Sequence, residues 1–345
     1  MLGYDSPYTK TLMKKLFAAA LSALLLAGCL SPTTTGPKDW VEYEGKSGPG
    51  KGKHIVFLSG DEEYRSEEGL PQLAKILSQR HGFKCTVLFS VDTNGVINPN
   101  AQKSLTHPEA LDSADVIVMA LRYRNWPDET MKHFADACQR GVPIIGLRTS
   151  THAFNGLKGD YKDFNNFGKR VLGEQWVNHW GNHKREATRG IIEASARNEA
   201  ILRGVADVFG DTDVYEAAPA ADAKILLRGQ VLKGMKPTDE PADYKKKTAA
   251  KVEQGVNDPM MPVAWIREYR NESGKVNKVL CTTMGSATDL QNEGLRRLVV
   301  NGVYWGVGME VPTKANVDVV GEFKPTMYGF NGFIQGVKPA DHELK

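Results

Sequence analysis

The sequence predicts an α/β protein with a mostly parallel sheet and helices on both faces. Short apolar runs without charge, such as residues 143–146 (PIIG), are typical of strands that are buried on both sides in a parallel sheet. These runs alternate with segments of helical length, which indicates βαβ units with right-handed crossovers. Polar residues follow several of the runs directly, at the position where sheets of this class bind ligands.

The predicted elements follow one another from residue 54. Helices are expected over 67–80, where Ser66 can cap the amino end, over 128–140, which Gly141 ends, and over 289–306. Strands are expected at His54–Gly60, 85–91, 115–121, 143–146, 224–232, 262–270 and 278–284, and regular structure is also expected at 188–194. The Lys245-Lys246-Lys247 run between two of these strands is interpreted as a solvated face.

The N-terminal residues predict export. Lys14 and Lys15 precede an apolar run at 16–27, which is too short to span a bilayer stably and is typical of a signal peptide, with Met1 or Met13 as the start. The run ends in Leu-Ala-Gly-Cys at 26–29, which resembles a bacterial lipobox with Cys29 as the lipidated residue. A plain secretory signal or a short membrane anchor is the alternative.

This N-terminal pattern sets the expected domain organisation and location. We expect a lipoprotein signal peptide at 1–29, a flexible tether at 30–52, one domain at 53–310 and a C-terminal tail at 311–345. The expected location is the bacterial cell envelope. Because Leu30 follows Cys29 where an Asp would suggest retention in the inner membrane, the outer membrane is favoured.

Composition excludes some classes of function. The net charge is only +3, so a strongly basic surface for nucleic acid is not expected. Cys85, Cys138 and Cys281 are an odd number within apolar or helical segments. They are therefore expected to be buried hydrophobic residues and not a disulfide framework.

Four segments together resemble ThuA-like (trehalose-utilisation) domains. They are 54–68, 122–126, 146–154 with the sequence GLRTSTHAF, and 262–306, and the resemblance extends over about residues 53–310. It implies a fold similar to the flavodoxin-like class I glutamine amidotransferases and a role in carbohydrate metabolism. The amidotransferase nucleophile is absent, however, because 146–152 contains no Cys and no His-x-Glu pair follows Gly285. Glutamine hydrolysis by a thiolate is therefore rejected.

Polar clusters follow four predicted strands, at 61–65, 122–124, 148–152 and 285–288, and are expected at one edge of the sheet. Candidate catalytic residues are His152 as a base, Arg148 as a ligand for a carboxylate or sugar oxygens, and Glu63. The alternatives are a structural His152 and a buried pairing of Arg148 with Asp61, Glu62 or Glu63. Candidate substrate-binding residues are Asp61, Glu62, Tyr64, Arg65, Arg122, Arg124, Trp126, Thr149 and Ser286.

The segment 155–185 lacks a helical or strand period but is rich in aromatic and histidine residues. His179 and His183 are four residues apart and could bind Zn²⁺ from one face of a helix, although Gly181 and Asn182 disfavour a helix there. His152 could supply a third ligand if the segment folds back. We expect the segment to cover the carboxyl edge of the sheet and to bring His179 or His183 toward Arg148 and His152. The alternative is that the segment lies on the surface and its aromatic residues pack on a neighbouring helix. Trp126, Trp176 and Trp180 could stack on sugars or belong to the core.

The expected function combines these features. The chain would be a lipid-anchored protein that binds, and hydrolyses or isomerises, a sugar or an oxidised sugar derivative. The alternative is a sugar-binding or scaffold protein without catalysis at the cell surface. The expected partners are a small carbohydrate and, through the lipid, a membrane, and zinc is the only cofactor that the residues suggest.

Overall fold

The computed structural model describes residues 38–344, and Cys29 with the predicted signal peptide lies outside the described residues. The helices are α1 (Ser66–His81), α2 (Asp128–Gln139) and α3 (Glu293–Gly306). The strands are β1 (Val41–Tyr43), β2 (His54–Gly60), β3 (Lys84–Phe89), β4 (Val116–Leu121), β5 (Ile144–Leu147), β6 (Asn178–His179), β7 (Thr188–Ile192), β8 (Phe209–Gly210), β9 (Tyr215–Glu216), β10 (Lys224–Val231), β11 (Lys245–Lys247), β12 (Glu253–Gly255), β13 (Met261–Arg270) and β14 (Val276–Thr282).

The central sheet has ten strands in the order β1-β3-β2-β4-β5-β14-β13-β10-β7-β8. The five strands from β3 to β14 in this order run parallel, and their carboxyl ends therefore meet at one edge. The α/β class and the parallel arrangement of these strands are confirmed. Beyond β14 the sheet continues with antiparallel strands, because a short turn joins β13 directly to β14.

Both faces of the sheet are covered, as predicted. Along β2, Ile55 and Phe57 belong to the core on the side of α1 and α3, whereas Val56 and Leu58 belong to the core on the side of α2. This alternation follows from the two-residue period of a strand. Because each face needs apolar side chains, the parallel strands contain almost continuous apolar runs.

Two predicted helix starts are corrected. Ser66 does not cap α1 but is its first residue, and its Oγ accepts a hydrogen bond from the Asp61 N–H at 3.1 Å. The residue before it, Arg65, has a φ of 58°. In the predicted helix 289–306, a short 3₁₀ turn comes first, and α3 begins after Asn292, whose side chain accepts from the Leu295 N–H.

The predicted tether and tail are both wrong for their described parts. Residues 38–52 contain β1, which pairs antiparallel with β3 and buries Val41 and Tyr43. Val311 and Val317 in the predicted tail join the core on the side of α3. Both segments contain apolar residues too widely spaced to form a periodic pattern, but numerous enough to cover the edge and one face of the sheet. They therefore belong to the domain.

Other expectations agree with the structure. Cys85, Cys138 and Cys281 are buried free thiols. Within residues 38–344, no helix has the length and apolar character that crossing a membrane requires.

Candidate functional site

The polar clusters that follow β2 and β5 contact each other at the carboxyl edge. Asp61 Oδ1 accepts the N–H groups of Glu63 and Tyr64 at 2.8 and 2.9 Å, and Oδ2 accepts the hydroxyl of Thr149. Asp61 and Thr149 are completely buried. Both were predicted to bind substrate, but their contacts instead stabilise the turn that places Glu63 and Tyr64 at the edge.

Arg148 is buried, and both of its terminal nitrogens donate to protein groups. Its Nη1 donates to the backbone oxygens of Asp213 and Thr283, both at 2.7 Å, and its Nη2 donates to Asp213 Oδ1 at 2.9 Å and to Tyr64 Oη at 3.1 Å. The guanidinium also lies against the rings of Tyr64 and Tyr215. The structural alternative for Arg148 is therefore favoured, but its carboxylate partner is Asp213 and not Asp61, Glu62 or Glu63.

Glu62 pairs with both arginines that follow β4. Its oxygens accept from Arg122 at 2.5 Å and from Arg124 at 2.7 Å. The Arg124 side chain is completely buried and also donates to Pro99 O, whereas the Arg122 side chain is 20% exposed. Arg124 and Glu62 thus stabilise the edge, and Arg122 can contact a ligand.

A cluster of Glu63, His179, His183 and Asp213 forms the most polar part of this edge, and we call it the histidine–carboxylate cluster. His179 Nδ1 lies 2.7 Å from Asp213 Oδ2, and His183 Nδ1 lies 3.0 Å from Asp213 Oδ1. His183 Nε2 lies 3.2 Å from Glu63 Oε1. Since Asp213 also contacts Arg148, the segment 155–185 does bring both histidines to the residues that follow β5.

This segment reaches the edge without forming an α-helix. It contains a 3₁₀ segment (Gly159–Asn166), a short π-helix (Gly168–Leu172) and β6, which pairs with β9. A Cβ on Gly168 would lie 1.9 Å from Thr151 O, so glycine permits the close approach. Lys246 holds the segment from the other side, because its Nζ donates to the backbone oxygens of His179 and Trp180.

Charge is unevenly distributed in the cluster. Burial alone would raise the pKa of Asp213, but Arg148, His179 and His183 hold it well below its ordinary value. Hydrogen bonds to Asp213 and Glu63 raise the pKa of His183 to about 9. Burial, with Arg122 and Arg148 nearby, lowers the pKa of His152 well below its ordinary value. His152 is therefore neutral near pH 7 and is a weak base.

A continuous series of side-chain contacts at this edge, which we call the aromatic rim, includes the two histidines of the cluster. Its members are Arg122, Tyr123, His152, Trp176, His179, His183, Tyr328 and Phe330. Ring centroids are 4.9 Å apart for Tyr123 and His152, 5.2 Å for His152 and Trp176, 5.7 Å for Trp176 and His179, 4.6 Å for His179 and His183, and 5.6 Å for His183 and Tyr328. The Arg122 guanidinium extends the series to Phe330, since it lies 4.6 Å from the Tyr123 ring and 4.9 Å from the Phe330 ring.

Several predicted residues lie outside the rim. Trp126 packs in the core against Phe134 and Phe154, and Trp180 is also buried. Arg65 is buried and donates to Thr326 Oγ1 and Glu63 O. Ser286 is buried, and its Oγ contacts Thr288 Oγ1 and accepts from the Asp289 N–H. These side chains stabilise the fold in the structure.

Sequence reasoning missed four residues that complete the site. Tyr215 is the first residue of the short strand β9, and Asp213 lies two residues before it. Tyr328 and Phe330 lie in the predicted tail. Tyr328 stacks on Tyr64 at 5.2 Å, and the following Gly329 N–H donates to Glu63 O at 2.7 Å. No periodicity or motif marks these positions. The two closely spaced aspartates at 211 and 213 are the one local pattern in the sequence that indicates a polar site there.

The metal prediction also changes. His179, His183 and Asp213 each offer one ligand atom, and these atoms lie within 4.8 Å of one another. Asp213, and not His152, is therefore the third residue of the group. His152 instead lies between the rings of Tyr123 and Trp176.

Comparison with known proteins gives the family of the chain. The sequence model of the ThuA family, described as trehalose utilisation, matches residues 54–306. No curated protein matches the chain. A ThuA-like protein from Parabacteroides merdae is similar in structure, with a TM-score of 0.45, 13% identity and coverage of 81% of this chain and 97% of that chain. A second one, from Bacteroides uniformis, has a TM-score of 0.47, 14% identity and coverage of 76% and 95%. Because the family match extends over well over half of its length, the chain belongs to the ThuA family.

Proposed function

We propose that this chain binds a small carbohydrate within the aromatic rim and hydrolyses or isomerises it. The observation that carries the proposal is the continuous series of aromatic and histidine side chains beside a cluster of ionisable groups. Aromatic walls with a few fixed polar groups are typical of small-molecule sites. The description of the family as trehalose utilisation supports a sugar as the ligand.

The rim contains groups suited to both faces of a sugar. Trp176 and Phe330 are partly exposed and offer flat apolar surfaces to the C–H faces of a pyranose. Arg122 and the imidazole of His152 offer hydrogen bonds to hydroxyl groups. His152 Nδ1 has only a long contact of 3.4 Å with Thr151 Oγ1, so this imidazole is not fully engaged by the protein.

The available groups favour acid–base chemistry over a covalent serine or threonine intermediate. Thr149 and Ser150 are completely buried, and their hydroxyls already donate to Asp61 and to Met119 O. His179 and His183 are about one-third and one-quarter exposed at their side chains, and Glu63 lies next to His183. We therefore assign proton transfer to His179, His183 and Glu63, and His152 is a weaker base.

The test is a binding and turnover assay with a panel of mono- and disaccharides, trehalose included. Trp176→Ala and Phe330→Ala should each weaken sugar binding by about 2- to 12-fold, since a stacked aromatic ring contributes about 0.5–1.5 kcal/mol. Trp40→Ala is the matched control, because this partly exposed indole stacks on His107 instead. His152→Ala should reduce turnover more than binding.

The outcomes separate the candidate functions. Binding without turnover of any sugar in the panel would favour a carbohydrate-binding protein without catalysis. Absence of binding to the whole panel would contradict the proposal.

We also propose that the chain is a lipoprotein of the bacterial cell envelope, in the outer membrane. This proposal rests on the lipobox-like sequence that ends in Cys29. A Cys29→Ala variant should leave the membrane fraction and no longer incorporate labelled fatty acid. Wild-type protein that carries no lipid would contradict it.

A further inference from the structure

We infer that His179, His183 and Asp213 form a binding site for one divalent transition-metal ion, with zinc as the best match. The inference goes beyond the proposed function and does not require that the rim bind a sugar. It rests on the geometry of three ligand atoms, on the residues that orient them and on the exposure of the site.

The ligand atoms are already close to a metal-binding arrangement. Both imidazole Nδ1 atoms face the Asp213 carboxylate, at 2.7 Å for His179 and 3.0 Å for His183. Zinc bonds of about 2.0–2.1 Å in a tetrahedron place neighbouring ligand atoms about 3.3 Å apart. Because the three ligand atoms lie within 4.8 Å of one another, shifts of the side chains toward this spacing, with release of the Nδ1 protons, would admit the ion, and the Asp213 carboxylate would then share it with both rings.

Neighbouring residues orient these ligands as they do in known zinc sites. Histidine ligands of zinc commonly donate their second ring nitrogen to a carboxylate, which fixes the tautomer and the ring orientation. Glu63 is in this position, with Oε1 3.2 Å from His183 Nε2. Arg148 holds Asp213 from the opposite side at 2.9 Å and balances its charge.

The chemistry of the ligands selects the type of metal. Two imidazoles and one carboxylate suit zinc and its transition-metal neighbours, whereas magnesium and calcium prefer oxygen ligands throughout. The Asp213 side chain is completely buried, but the histidine side chains are 33% and 27% exposed. Because the two histidines belong to the aromatic rim and are partly exposed, a fourth coordination position would be accessible from the rim. Sites with three protein ligands and an open position are typical of catalytic zinc.

The experiment measures metal directly in the full-length protein, without sugar. After treatment with a chelator, the protein is titrated with Zn²⁺, and bound metal is counted by elemental analysis. Co²⁺ provides a second readout, because tetrahedral coordination gives a strong visible absorption band. We expect one zinc per chain and a Co²⁺ spectrum of four-coordinate type.

Variants distinguish this site from adventitious binding. His179→Gln and His183→Gln should abolish stoichiometric binding, and Glu63→Gln should weaken it about 10- to 100-fold. His133→Gln is the matched control, because His133 also lies 2.8 Å from a carboxylate, that of Asp112, but belongs to no such three-residue group among residues 38–344. This variant should bind zinc like the wild type. Circular dichroism checks that each variant folds.

Two results would overturn the inference. The first is a folded wild-type protein that binds neither Zn²⁺ nor Co²⁺ stoichiometrically, which would mean that the cluster holds a proton between its carboxylates. The second is binding that His179→Gln and His183→Gln leave unchanged. Either result leaves the sugar-binding measurements unaffected, so failure of the metal site and failure of the proposed function are distinguishable.

Discussion

Arg148 Nη2 lies 2.9 Å from Asp213 Oδ1, and neither side chain exposes any surface to solvent. Arg148 directly follows strand β5, and Asp213 lies between β8, the last antiparallel strand of the sheet, and β9. Their ion pair therefore joins two distant parts of the chain directly beneath His179 and His183. A buried pair of this kind stabilises little by itself, but removal of one partner leaves an uncompensated charge.

Replacement of Arg148 should therefore destabilise the fold strongly. We expect Arg148→Met to lower the free energy of unfolding by about 3–5 kcal/mol, because the buried Asp213 carboxylate would lose its guanidinium partner and keep only the two histidines. Urea denaturation measures this change. Arg170→Met is the control, since Arg170 pairs with Glu272 at the surface and such pairs contribute about 0–1 kcal/mol. Equal effects of the two substitutions would contradict the assigned role of Arg148.

Tyr43 tests whether residues 38–52 belong to the domain. This side chain is 2% exposed, and its hydroxyl donates to His342 O at 2.7 Å. Tyr43→Ala should destabilise by about 3–5 kcal/mol, as for other buried aromatic residues. Tyr43→Phe should lower the free energy of unfolding by only about 1 kcal/mol, which is the contribution of one hydrogen bond. If both variants unfold like the wild type, the segment is a tether after all.

Glu67 should make stability depend on pH. Both of its carboxylate oxygens are buried without a hydrogen-bond partner, and burial raises its pKa to about 8. The unfolded chain releases this proton near pH 4.3, so between about pH 4.3 and 8 the folded state binds more protons. The contribution of Glu67 to the free energy of unfolding is therefore fully present below about pH 4.3. It falls as the pH rises from about 4.3 to 8, by at most about 1.4 kcal/mol per pH unit.

Glu67→Gln removes this titration. The variant should gain stability relative to the wild type between pH 5 and pH 8, measured as the difference in melting temperature at each pH. Glu129→Gln, an exposed position in the first turn of α2, should show no such trend. A constant difference between wild type and Glu67→Gln across this range would refute the prediction.

Lys246 should position His179 without touching a ligand. Its Nζ donates to His179 O at 2.8 Å and to Trp180 O at 2.9 Å, which corrects the interpretation of the lysine run as only a solvated face. Lys246→Met should weaken zinc binding about tenfold, within the range found when residues that orient ligands are removed. Lys245→Met, its exposed neighbour in β11, should have no effect. Equal zinc affinities of the two variants would argue against the positioning role.

Sequence alone predicted those parts of the fold in which the pattern is local. His54–Gly60 has the predicted bounds because its apolar run is buried on both faces and ends in a turn that Asp61 organises. Of the antiparallel strands beyond β14, β13 and β10 were predicted as strands and β8 was not, and their direction depends on the lengths of the connections. The positions of His179 and His183 near Arg148 followed from chain order, since the segment that contains them starts at the end of β5.

The roles of individual side chains were harder to predict. Asp213 is 30 residues from His183 in the sequence, and only the tertiary fold brings their side chains together. Arg148 and Thr149 occupy the predicted edge, but burial commits them to protein partners, and sequence does not show which polar residues at a strand end remain accessible. His152 is also buried, and its burial weakens it as a base.

Tyr328 and Phe330 lie outside the part of the chain that matches the family, which ends at residue 306. The base of the site is built from the shared region, whereas these two residues of its wall come from a segment that relatives need not have in common. If the chain binds a ligand as proposed, substitutions after residue 306 would change part of the wall that contacts the ligand and leave the histidine–carboxylate cluster, which lies within 54–306, as it is.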